Sequence, residues 1–172
     1  DYSNPVDVEG SSAGGTSFAS PSFAGIQALI NQETGTKWGN PNPVLYVLAA
    51  SEYGSTADPN SANLSACDAN NGNTVGDACV FYDVTRGDND IPCQPSPGGK
   101  LNCYRPAGAV FGVLSTSMTT LDPAFPATPG WDFASGLGSV NVTNLVNGWS
   151  AAACTHGDTL RGKGALRSDA RC

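Results

Sequence analysis

The sequence predicts an α/β fold, because segments with helical periodicity are followed by short apolar segments that are typical of strands. Phe23, Ile26 and Ile30 recur at the spacing of one helix face, whereas Val80–Thr85 is too short for a helix and rich in residues that favour strands. With 172 residues, 40% of them hydrophobic, the chain is long enough for one domain with its own core. We expect this domain to cover residues 1–150.

Caps, breakers and periodicity fix the predicted elements. Asn42 and Pro43 are a suitable cap and first-turn residue for a second helix that ends near Gly54, and Asn141 is a suitable cap for the last helix. In chain order we predict a helix over 17–32, a helix over 44–50, a polar loop over 55–77, a strand over 80–85, a long insertion over 87–106, a strand within 109–118 and a helix over 142–149.

The charge and composition limit the classes of partner. Fifteen acidic and eight basic residues give a net charge of −7, which disfavours nucleic acids and anionic membranes. No apolar run is long enough to predict a membrane span. The 21 glycines and 12 prolines indicate a turn-rich chain of the kind found in secreted proteins. Because only 13% of the residues are charged, the chain would lose few ionic contacts when its carboxylates are protonated, which is compatible with acidic surroundings.

The six cysteines also indicate a secreted or extracellular protein. The simplest pairing joins sequence neighbours, Cys67 with Cys79 and Cys93 with Cys103. A metal site is the competing interpretation, but the chain has no CxxC spacing and a single, distant histidine, so we favour disulfides. The pairing of the last two cysteines, Cys154 and Cys172, stays open.

The last residues, 151–172, differ in character from the rest of the chain. Half of all basic residues lie here without apolar periodicity, which predicts a solvated, mobile tail. His156 lies in this tail with no motif around it, and we assign it no role. Because the chain begins at Asp1 and its single methionine is Met118, we expect it to be a processed or truncated piece of a longer protein.

The stretch GGTSFASPSFAGIQAL, residues 14–29, places a serine at the start of the first predicted helix. At that position Ser17 has a free backbone N–H and the positive end of the helix dipole beside it, which are donors for a developing oxyanion. Gly14 and Gly15 permit a tight turn, and Pro21 is expected in the first turn of the helix. The alternative is that Ser17 or Thr16 only caps a core helix.

The string GTSFASP resembles the nucleophile motif of the subtilisin clan of serine peptidases. Two downstream strings, FYDVTRGDN over 81–89 and TPGWDFASGLGSVN over 128–141, are similar to C-terminal signatures of one branch of that clan, the sedolisins or serine-carboxyl peptidases. The resemblance covers about 14–149. It implies a subtilisin-like parallel sheet flanked by helices, of which this chain would be the C-terminal half.

The resemblance also implies one bound calcium ion. Its ligands would be two carboxylates, those of Asp83 and Asp132, and three main-chain oxygens, those of Val84, Thr128 and Gly130. Calcium prefers several hard oxygen ligands, which two carboxylates and the carbonyls of Gly-rich turns provide. A carboxylate that follows an apolar strand is also costly without a partner. The nearby acidic residues Asp88 and Asp90 are interpreted as a solvated turn.

By resemblance, the activity is endopeptide hydrolysis in acid through an acyl-Ser17 intermediate, with polypeptides as substrates. The glutamate base, its orienting aspartate and the oxyanion aspartate would lie in the upstream half of the domain, so the isolated chain is expected to be inactive. Two alternatives stay open: a neutral Ser-His-Asp peptidase of the subtilisin branch with a C-terminal extension, and a non-catalytic, calcium-stabilised binding module.

Overall fold

The computed structural model describes residues 15–94, 102–109 and 111–161, and over 156–161 it describes the backbone alone. The chain forms two compact units. Among the described residues, one unit contains 15–45 and 146–161, and the other contains those that lie within Tyr46–Leu145. In chain order the elements are helix α1 (Thr16–Thr34), helix α2 (Asn42–Tyr53), helix α3 (Ser61–Ala66), a 3₁₀ helix (Ala69–Thr74), strands β1 (Phe81–Tyr82), β2 (Pro92–Cys93), β3 (Cys103–Tyr104), β4 (Gly112–Leu114) and β5 (Ser139–Val140), and helix α4 (Val142–Arg161).

The predicted helices are present with different ends. Helix α1 extends the predicted range by one residue at its start and two at its end, where Gly35 adopts a left-handed conformation. Helix α2 begins before the predicted residue 44 because the Pro41 carbonyl accepts the first helical N–H, from Val44, at 3.1 Å. The predicted cap of α4 is confirmed, since Asn141 Oδ1 accepts the Asn144 N–H at 3.1 Å. That helix does not end at residue 149 but continues into the predicted tail as far as Arg161.

The prediction of a polar loop over 55–77 is wrong, because this segment contains α3 and the 3₁₀ helix. Each of these short helices begins at a polar side chain that accepts a backbone N–H. The Asn60 side chain accepts from the Asn63 amide at 3.2 Å, and the Asp68 carboxylate accepts from the Asn70 amide at 2.9 Å. Local capping therefore builds helices here without the apolar periodicity from which longer helices are predicted.

The strands form two small antiparallel sheets. Strand β1 pairs with β5 in the register Phe81 with Val140, and β4 lies between β2 and β3. The predicted strand over 80–85 shortens to two residues, the insertion over 87–106 contributes β2 and β3, and the strand expected within 109–118 is β4. Within the described ranges the sole parallel pairing is an isolated bridge between Asp68 and Asp83. The chain is thus mixed α/β, and the expected subtilisin-like parallel sheet is not shown.

The two predicted disulfides, Cys67–Cys79 and Cys93–Cys103, are confirmed. Cys154 is also disulfide-bonded, and Cys172 lies outside the described residues. Among the residues that the structure describes, no helix is both long enough and apolar enough to cross a membrane.

The first unit has a small aromatic core. Trp149 and Ile30 are fully buried, and the Trp38 and Trp149 rings pack edge to face with centroids 5.9 Å apart. The Trp38 indole N–H donates to Thr34 Oγ1 at 2.8 Å, which ties the end of α1 to the chain that follows it. In contrast, the first turns of α1 are exposed, including the ring of Phe18, which is 56% exposed.

Candidate functional site

Ser17 is the second residue of α1 and is exposed. Gly15 occupies the N-cap position with φ 82°, a conformation that favours glycine, and the helix start has no side-chain capping hydrogen bond. The structure therefore gives neither Ser17 nor Thr16 the role of a helix cap. Within the described ranges the Ser17 hydroxyl has no hydrogen-bond partner and is available to another group.

The backbone around Ser17 leaves donors free. The amides of Phe18 and Ala19 both donate to the Gly15 carbonyl, at 3.1 and 3.4 Å. The two preceding amides, those of Thr16 and Ser17, find no acceptor among residues 15–94, 102–109 and 111–161. Unpaired N–H groups at the positive end of a helix dipole are suited to an anionic oxygen.

Pro21 does not lie in the first turn, contrary to the prediction. Because α1 begins at Thr16, Pro21 is the sixth residue of the helix. Without an N–H it cannot donate to the carbonyl four residues earlier, which is that of Ser17. The Ser22 hydroxyl donates to the next carbonyl, that of Phe18, at 2.8 Å and does not replace this bond. The peptide that carries Ser17 is consequently held by fewer helical hydrogen bonds than its neighbours.

Asp83 lies in the other unit, directly after β1, and is fully buried. Its Oδ2 accepts the Gly130 amide at 2.6 Å. Its Oδ1 is buried and has no hydrogen-bond partner in the described part of the chain. A buried carboxylate oxygen without a donor is costly. Among the described residues Asp90 Oδ1 is also unpaired, but Asp83 is the fully buried residue of the two, so its Oδ1 is the stronger indication of a missing ligand.

Asp132 is 6% exposed, and backbone amides surround it. One oxygen, Oδ2, accepts the Thr128 amide at 2.8 Å. The other, Oδ1, accepts the amides of Ala134 and Ser135 at 2.8 and 2.7 Å, and the Ser135 hydroxyl at 3.1 Å. These bonds fold residues 128–135 into a tight turn around one carboxylate.

The two carboxylates respond differently to their surroundings. Burial raises the pKa of Asp83, and the nearby negative charges of Asp132 and Asp68 raise it further, against the hydrogen bond from Gly130. Burial also acts to raise the pKa of Asp132, but its amide and hydroxyl donors outweigh this effect and lower the pKa. The pair therefore combines a firmly ionised carboxylate with one whose charge lacks compensation.

The predicted calcium ligands lie in one neighbourhood of this unit. Gly130 contacts Asp83, Thr128 contacts Asp132, and Ser135 Oγ lies 3.5 Å from the carbonyl oxygen of Val84. Among the described residues, no group of three or more His, Cys, Asp or Glu side chains could hold a metal ion. A cation here would depend on two carboxylates and main-chain carbonyls, as the resemblance implies, and the orphaned Asp83 Oδ1 fits such an ion.

The turn that contains Asp132 also carries exposed aromatic side chains. Trp131 is 50% exposed, and its ring packs edge-on against that of Phe133 with centroids 4.9 Å apart. Trp131 also lines a cleft of about 800 Å³, together with Tyr46 and Tyr53. The residue between the two proposed ligands Gly130 and Asp132 is therefore in contact with solvent.

The sequence did not predict the contacts of two acidic residues in this unit. Glu52 on α2 is 8% exposed, and its carboxylate accepts the amides of Val80 at 2.6 Å and Phe81 at 3.0 Å, where β1 begins. Asp90 is more than a solvated turn residue, since its Oδ2 accepts the Ala124 amide at 2.8 Å. Both contacts join residues 28 or more positions apart, so no local pattern could have indicated them.

Comparison with known proteins finds similarity to kumamolisin from Bacillus sp. (strain MN-32). The two sequences are 28% identical over 138 residues, which cover 80% of this chain and 15% of that protein. The chain therefore spans a small part of the relative that it matches. No family model matches the sequence, and no solved structure matches the fold. The similarity supports a relationship to the sedolisins.

Proposed function

We propose that this chain is the serine-bearing, C-terminal part of the catalytic domain of a secreted sedolisin-type acid endopeptidase, with Ser17 as its nucleophile. The observation that carries the proposal is the position of Ser17, exposed at the start of α1 behind a positive-φ glycine, with its hydroxyl free of any capping bond. The similarity to kumamolisin and the sequence motif around Ser17 support it.

In this proposal the Ser17 hydroxyl gives its proton to the base, and its oxygen attacks the carbonyl carbon of a peptide bond. The C–N bond then breaks, the amine leaves with that proton, and water hydrolyses the acyl-enzyme to free Ser17 and a carboxylic acid. The unpaired amides at the start of α1 donate to the oxyanion that develops during attack. The glutamate base, its orienting aspartate and a protonated aspartate that also donates to the oxyanion come from the upstream half of the domain. A carboxylate base with a pKa of about 4 stays ionised in mild acid, which sets an acidic working range.

The proposal includes one calcium ion held by the carboxylates of Asp83 and Asp132 and by main-chain oxygens of Val84, Thr128 and Gly130. Its support is the orphaned oxygen of a fully buried carboxylate beside a second carboxylate. When bound, the ion supplies positive charge that compensates these two groups. The residues themselves hold the turn over 128–135 against β1, so the proposed role of this site is stability.

The proposal also includes a parallel sheet, completed by the upstream half of the domain. Exposed apolar side chains on α1 support it, since Phe18, Phe23 and Leu29 are 56%, 38% and 48% exposed. Apolar surface of this kind on one helix is typical of a contact with another part of a protein.

The test uses the native polypeptide that carries this sequence, with an unfolded protein as substrate at about pH 4 and pH 7.5. We expect activity in acid, and Ser17→Ala should lower it by about 10⁴-fold or more. Ser20→Ala, an exposed serine on the same helix, is the matched control and should leave it unchanged. Equal activity of Ser17→Ala and wild type would refute the nucleophile, and activity at pH 7.5 alone would favour a histidine-dependent subtilisin.

A further inference from the structure

One short segment holds the backbone of Asp83 on both sides. The Asp83 amide donates to the Cys67 carbonyl at 2.8 Å, and the Asp83 carbonyl accepts the Ala69 amide at 2.7 Å. We call residues 67–70 the clasp. Because both backbone groups of Asp83 bond to the clasp, the direction in which its carboxylate points depends on where the clasp lies.

Side chains extend the same contact past Val84. Thr85 Oγ1 donates to Asp68 Oδ2 at 2.9 Å, and Asn70 Nδ2 donates to Thr85 Oγ1 at 2.8 Å. The Asn70 amide also bonds to Asp68 Oδ1. The clasp therefore holds the chain immediately before and after the main-chain carbonyl proposed as a ligand, that of Val84.

The Cys67–Cys79 disulfide joins the clasp to the start of β1. Both half-cystines are buried, at 3% and 4% exposure, and their Cα atoms are 5.7 Å apart. Cys79 directly precedes Val80, whose amide is fixed by the Glu52 carboxylate. The bridge thus closes a loop whose two ends hold Asp83, one through the clasp and the other through β1.

We propose that the Cys67–Cys79 disulfide is a positioning element for the proposed cation site, so that the affinity of Asp83 and Asp132 for a divalent cation depends on this bridge being oxidised. The inference rests on the calcium site of the proposed function. Groups that orient metal ligands without touching the metal typically contribute 10- to 100-fold to affinity.

The Cys93–Cys103 disulfide is a matched control in the same unit. It joins β2 and β3 of the three-stranded sheet, and in the described part of the chain it makes no hydrogen bond to the proposed ligands. Both bridges close short loops, with sequence separations of 12 and 10. Loss of either bridge should affect the unfolded chain similarly, and only the first should change the site.

The experiment titrates Ca²⁺ calorimetrically into the native polypeptide that carries this sequence. It compares wild type, Cys67→Ser/Cys79→Ser and Cys93→Ser/Cys103→Ser, each well below its own melting temperature. We expect the first variant to bind at least tenfold more weakly and the second to bind as wild type does. Equal affinity of the first variant and wild type would overturn the inference, as would equal losses in both variants.

A second variant covers the case in which the first does not fold. Thr85→Val removes the hydroxyl that donates to Asp68 and accepts from Asn70, and it leaves both disulfides in place. We expect it to weaken Ca²⁺ binding several-fold, and unchanged affinity would count against the clasp. Wild type that binds no Ca²⁺ would instead refute the calcium site of the proposed function.

Discussion

Replacing Glu52 by alanine should destabilise the unit that contains Asp83 and Asp132. The Glu52 carboxylate is buried and accepts two successive backbone amides, those of Val80 and Phe81. Leaving a buried donor unsatisfied costs about 1–3 kcal/mol, so two such donors predict a loss of about 2–6 kcal/mol in the free energy of unfolding. Glu52→Gln keeps one acceptor oxygen and should lose about half of that.

Urea unfolding of the native polypeptide measures this loss, and hydrogen exchange of the amides at 80 and 81 measures it locally. Glu33 is the control, because it lies exposed on α1 and its replacement by alanine should change stability by about 0.5 kcal/mol or less. If Glu52→Ala unfolds within about 1 kcal/mol of wild type and its two amides keep their protection, the carboxylate is not what fixes the start of β1.

Three further predictions concern the site and its surroundings. The pKa of Asp83 is raised in the folded state, so the ionised carboxylate destabilises the fold as the pH rises. In chelator at pH 7, Asp83→Asn should therefore be at least as stable as wild type. With Ca²⁺ at 100 times its Kd, the free energy of unfolding of wild type should rise by about 2.7 kcal/mol and that of Asp83→Asn should not change. Equal rises in the melting temperatures of the two proteins would contradict the calcium site. Burial opposes ionisation of Asp68, but hydrogen bonds from Asn70 and Thr85 and the charge of Arg86 outweigh it and lower the pKa of this carboxyl below 3.8. The contribution of ionised Asp68 to the free energy of unfolding is therefore present at neutral pH and is lost as the pH falls through that lowered pKa. Thr85→Val should therefore cost stability at pH 7 and little in strong acid, and a pH-independent cost in melts at both pH values would argue against this linkage. Finally, the isolated chain should be inactive and poorly soluble, because α1 exposes Phe18; sedimentation and peptidase assays test this, and a soluble, active chain would contradict it.

The sequence predicts best those elements that depend on neighbouring residues. The helical spacing of Phe23, Ile26 and Ile30 predicts α1. The Asn141 side chain caps α4 by accepting the amide of Asn144, only three positions away. The short strands could not be predicted to pair as they do. Phe81 pairs with Val140, far away in the sequence, and a strand of two residues has no alternation to set its register.

The candidate site divides in the same way. A carboxylate directly after an apolar strand predicts that Asp83 needs a partner, and the structure shows it fully buried with one oxygen unpaired. The contacts that hold it, from Glu52 and from the clasp, depend on chain segments that meet only in the fold. The misplacement of Pro21 has a simpler cause, since even from the predicted start at residue 17 it is the fifth residue, beyond a first turn of about 3.6 residues.

The positions of the three tryptophans provide separate optical reporters for the two units. Trp38 and Trp149 pack together in one unit, with Trp149 fully buried, whereas Trp131 is half exposed between Gly130 and Asp132 in the other. A soluble quencher such as acrylamide would reach Trp131 first, so the quenchable part of the emission reports on the turn over 128–135. The unquenched part reports on the unit that carries Ser17, and one emission spectrum can follow both during a titration.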